Sequence, residues 1–145
     1  MKKKILLLIC VMVFSQTVFA DDIVIKVDGE VLNTPAAAKL VNDRTMLPMR
    51  SIFEKLGAEV TWFDNDQIIF VSRENTLIVM QIGNSQLTIQ KSNTNEKQTI
   101  TLDTVPYIDG DYTYVPVRAV AEALDANVDW VDEEQTVLIT NKKGM

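Results

Sequence analysis

Apolar and polar positions along the chain follow two periods, and the switch from one to the other occurs twice. Met49, Ile52, Phe53 and Leu56 fall at i, i+3, i+4 and i+7, the spacing of one helical face, and Val117, Val120, Ala121 and Leu124 repeat it. Pro48 and Pro116 stand just ahead, each behind a short apolar pair, Met46-Leu47 and Tyr114-Val115. Proline suits the first helical position because its missing N–H would be unpaired there, so a helix is expected to start at each proline. Gly57 follows the first stripe, where a helix closes on a left-handed residue; Asp125 holds that place in the second, a conformation that aspartate tolerates at some cost.

Beyond each helix the period becomes two. Strands are expected over 59–62 and 67–71, and again over 127–130 and 136–139. Their connectors, Phe63-Asp64-Asn65-Asp66 and Val131-Asp132-Glu133-Glu134, are polar and hairpin-like. Alternation sets Val60 with Trp62, and Val128 with Trp130, on the inward face, which predicts core positions for both tryptophans. Further strand patterns lie at 23–27, 75–82, 86–90 and 98–102, with a polar loop over 92–97 and turns at Asp28-Gly29-Glu30, Gly83-Asn84-Ser85 and Asp109-Gly110-Asp111.

The two halves are copies. Residues 44–71 align without gaps to 112–139 at an offset of 68, with 10 of 28 positions identical, among them Pro48/Pro116, Arg50/Arg118, Glu54/Glu122 and Trp62/Trp130. One helix and a hairpin bury too little to stand alone, so the copies are expected to share a core. The expected fold class is α+β, a twisted antiparallel sheet packed on two short helices, within one domain over 21–145.

The strings NDRTMLPMRSIFEKLGAEVTW and LDTVPYIDGDYTYVPVRAVAEALDANVDW resemble the repeated signature of the copper amine oxidase N-terminal domain, also called the stalk domain. The resemblance covers nearly the whole chain beyond residue 20. It implies an antiparallel sheet curled about helix, in a module found in secreted and wall-associated bacterial proteins, and it does not imply oxidase chemistry. Asp125 departs from the usual glycine, and Ala36-Ala37-Ala38 from a proline-containing run that Pro106 keeps in the second copy.

Composition narrows the chemistry. The first 20 residues read as a secretory signal: Lys2, Lys3 and Lys4, an apolar run over 5–14, and Val18-Phe19-Ala20 as the cleavage site. A lipidated start at Cys10 is the rival, weakened by Ile9 where a small residue belongs. Cleavage after Ala20 would remove three lysines and no acid, leaving 11 basic against 20 acidic side chains, a net charge of −9. Nucleic acid and anionic lipid are therefore poor partners, and no membrane span is expected after cleavage. The chain has no histidine, and its one cysteine is Cys10, so triads, thiol nucleophiles and histidine- or thiolate-ligated metals are excluded from an exported product. No catalytic residue, cofactor or metal ligand is assigned.

The remaining candidates are structural or weakly binding. Arg50 and Arg118, four residues before Glu54 and Glu122, are expected to form i, i+4 ion pairs or to bond nearby carbonyls, since an arginine at a helix start opposes the macrodipole and needs a partner. Tyr107, Tyr112 and Tyr114 are weak candidates for sugar stacking. The acidic turns at 64–66, 109–111 and 132–134 match no calcium loop. The expected function is a non-catalytic, exported cell-envelope module that binds or scaffolds. Its partner is expected to be a cell-wall polymer or another envelope protein, or a second copy meeting an edge strand at 23–27. The rival is a small wall-acting enzyme, or an inhibitor of wall hydrolases, working through the acidic turns.

Overall fold

The Leu47-Val115 backbone pairing joins the two copies. A computed structural model describes residues 23–142, so the signal segment and Cys10 lie outside the described residues. The first copy contributes β3 (Lys39–Val41), β4 (Arg44–Pro48), α1 (Met49–Lys55), β5 (Glu59–Phe63) and β6 (Ile68–Arg73). The second contributes β10 (Tyr107–Asp109), β11 (Tyr112–Pro116), α2 (Val117–Ala123), β12 (Ala126–Val131) and β13 (Thr136–Asn141). Ahead of them run β1 (Val24–Val27) and β2 (Glu30–Val31), and between them β7 (Thr76–Gln81), β8 (Gln86–Lys91) and β9 (Glu96–Thr101).

These strands form three sheets, ordered β12-β13-β1-β2, β10-β11-β4-β3 and β5-β6-β7-β8-β9. The middle sheet is shared. Its central pair matches Tyr114 with Pro48, Val115 with Leu47 and Pro116 with Met46. Under the offset of 68, Leu47 and Val115 are the same position, so a pseudo-two-fold axis passes between them. Both are fully buried, and the cluster that holds them gathers side chains from α1, α2 and all three sheets. Burying both apolar stripes in one cluster over the shared sheet supplies the burial that half the chain lacks.

The local expectations are met with small shifts. Each proline is the residue before its helix and closes a strand, so helix and strand share it rather than the helix starting on it. The four apolar positions of each stripe are buried. Gly57 and Asp125 both close their helices in the left-handed region, at φ +75 and +59. Asp125→Gly is therefore expected to stabilise the protein by a few tenths to about 1 kcal/mol. The exposed ion pair with Lys91, at 3.5 Å, gives back only a fraction of that. A melting temperature that stays level or falls would contradict the strain at this position.

Three expectations are corrected. The segment at 23–27 is not an edge: β1 is hydrogen-bonded to β13 on one side and β2 on the other, and its pairing with β13 is parallel. Strand addition there is closed, because its donors and acceptors are already spent. The loop at 92–97 is a four-residue turn, with Glu96 and Lys97 already in β9 opposite Lys91 and Gln90. Trp130 is not in the core but 38% exposed, and Trp62 is half-buried. The reason is length: a seven-residue helix spans about 10 Å, whereas the six-residue β12 runs about 20 Å, so its end projects past the helix that covers Val128.

Candidate functional site

The projecting end of β12 forms one wall of a cleft of ≈ 440 Å³. Its buried floor comes from Leu102, Val117, Val128 and Val137, and its rim from Leu40 on β3, which is 58% exposed. Ile100 and Leu102, whose alternation is visible in the sequence, bring the end of β9 to the opposite side. That side is tethered: the Thr104 hydroxyl donates to the Val41 carbonyl at 3.2 Å, and the Leu102 N–H to the Ser85 carbonyl at 2.6 Å.

Charged groups in the cleft hold one another in place. Arg44 donates through Nε and Nη2 to Asp103 Oδ2, the first of these at 3.0 Å. Arg118, in the first turn of α2, donates to the Val128 carbonyl at 3.0 Å and pairs with Glu122 at 3.4 Å, which ties helix to strand. Its counterpart Arg50 pairs with Glu54 at 3.8 Å. Asp43 and Asp129 also line the cleft, so two guanidiniums face four carboxylates. The Trp130 indole N–H donates to Asp132 Oδ1 at 3.2 Å, which fixes the ring plane, and Trp62 makes the same bond to Asp64.

Of the residues singled out from sequence, Pro116, Arg118, Glu122 and Trp130 meet at this cleft. Asp125 lies at the other end of α2. Pro48, Arg50, Glu54, Gly57 and Trp62 occupy the equivalent places of the first copy. The tyrosines do not form an open platform together. Tyr114 is 2% exposed, stacks on Tyr107 at 5.3 Å between ring centroids, and donates its hydroxyl to the Ala37 carbonyl at 3.1 Å. Lys39 lies over its ring and pairs with Asp109. Burial raises the pKa of both phenols above the ordinary value, with the neighbouring Tyr114 adding to the effect on Tyr107 and Tyr112 to that on Tyr114. Tyr112 stays exposed.

Leu40, Arg44 and Asp103 went unnoticed in the sequence because each belongs to a short hairpin or turn with no chemical motif. Arg73 was missed for a different reason: it lies two residues past the aligned block, where its counterpart is Asn141. It donates to the carbonyls of Leu56 and Leu124, the closing residues of the two helices, the first at 3.0 Å, and to Asn141 Oδ1 at 3.3 Å. Extending the offset of 68 by two positions would have placed it at the junction.

The fold is a two-copy sheet-and-helix unit whose two halves share one sheet and one core. The copper amine oxidase N-terminal domain family matches residues 26–139, and the chain belongs to it. No curated protein and no solved structure matches the chain. In the oxidases this domain is not the catalytic one. The donor set does not fit copper either: the sequence has no histidine, and among the described residues no three of His, Cys, Asp and Glu converge.

Proposed function

We propose that the protein is a non-catalytic binding module of the cell envelope, exported by its N-terminal segment and acting by holding a wall polymer. The observation that carries this reading is the cleft beside Trp130, where an indole held by Asp132 and an apolar floor lie beside the Arg44–Asp103 and Arg118–Glu122 ion pairs. Such an arrangement positions a ligand, with Arg44–Asp103 and Arg118–Glu122 offering donors and acceptors at the cleft wall. Family membership supports the same reading. The test is sedimentation of the exported protein with isolated peptidoglycan, followed by assay of the supernatant for released wall fragments. The protein is expected to sediment with the polymer and release nothing. Failure to sediment, or release of soluble fragments, would overturn the reading.

A further inference from the structure

The two copies are built alike, yet their clefts differ. Under the offset of 68 the positions equivalent to Arg44 and Asp103 are Tyr112 and Pro35, so the ion pair that walls the Trp130 cleft has no counterpart beside Trp62. Trp62 packs half-buried against the core, whereas Trp130 is 38% exposed. The offset of 68 thus relates a cleft walled by an ion pair to a place where the equivalent tryptophan is half-buried and that ion pair is absent.

Resting on the binding-module reading above, we infer that the Trp130 cleft is a single site for a neutral, hydroxyl-rich glycan. Four features of the cleft converge on this ligand. A sugar ring has an apolar C–H face, which stacks on an aromatic face, and the Trp130 indole has its N–H committed to Asp132 so that its plane is held ready. The hydroxyls at the ring edge both donate and accept, and a guanidinium beside a carboxylate, as in Arg44–Asp103 and Arg118–Glu122, offers both functions at fixed positions. Two arginines against four carboxylates give the cleft a negative balance, which favours an uncharged stretch of sugar units over the charged groups of a polymer. A volume of ≈ 440 Å³ falls within the range of small-ligand sites, enough for a short run of sugar units.

The probes are two neutral oligosaccharides, chitohexaose and cellohexaose, titrated calorimetrically into the exported protein. At least one is expected to bind saturably, one per chain, with little change on adding salt. Trp130→Ala is expected to weaken binding by roughly tenfold or more, and Leu40→Asp, an exposed rim change that leaves the core intact, by several-fold. Trp62→Phe should leave binding unchanged. Binding of neither glycan, two sites per chain, or full affinity in both Trp130→Ala and Leu40→Asp would overturn the assignment. Sedimentation with peptidoglycan that persists in Trp130→Ala would overturn this site alone and leave the binding-module reading standing, whereas loss of sedimentation by the unaltered protein removes both.

Discussion

Leu47→Ala is expected to cost the protein about 3 kcal/mol or more, on the order of 10 °C in melting temperature. Leu47 is fully buried, and it sits where the two copies meet, paired with its own equivalent Val115. The three carbons removed leave a cavity that neither helix can collapse into without losing its contact across the axis. Because the side chain serves both copies, the whole denaturant transition should move to lower concentration as one step with an unchanged slope. A transition that splits, with the second copy unfolding at its original midpoint, would show that the copies do not share a core.

Arg73→Ala is expected to cost about 2–3 kcal/mol. The guanidinium donates to the closing carbonyls of both helices and to Asn141, whose amide N–H and side chain in turn donate to Asp28 at 2.9 and 3.0 Å. One cation therefore satisfies orphan carbonyls at two negative helix ends and ties β6 to β13 and the turn after β1. Arg73→Lys should recover less than half of the loss, since a single ammonium cannot present donors to three acceptors in a fork. Equal stability of Arg73→Lys and the unaltered protein would mean that charge alone matters there; equal stability of Arg73→Ala would remove the clasp.

Much of the fold was legible because the repeat enforces it twice. The helical stripes at Met49 and Val117, the left-handed closures at Gly57 and Asp125, and the hairpins after Glu59 and Asn127 all rest on local spacing, which the sequence carries directly. The middle sheet was not legible, because β3, β4, β10 and β11 are three to five residues long and their pairing across the axis is set by tertiary contact. The parallel register of β1 on β13 was hidden for the same reason: 112 residues separate Val24 from Thr136. Alternation correctly set Val128 and Trp130 on one face but could not show that the short helix ends before covering the tryptophan. The cleft depends on that shortfall, and on Asp103 meeting Arg44 from 59 residues away.

Of the two equivalent tryptophans, Trp130 alone is assigned the binding surface. The two tryptophans give two indole N–H signals in a nitrogen-edited proton spectrum, assigned by the loss of one in Trp62→Phe. Titration with chitohexaose or cellohexaose should shift the Trp130 indole signal, saturating at one equivalent, while the Trp62 signal stays in place. Movement of the Trp62 signal with Trp130 unmoved, or no movement of either, would contradict that assignment.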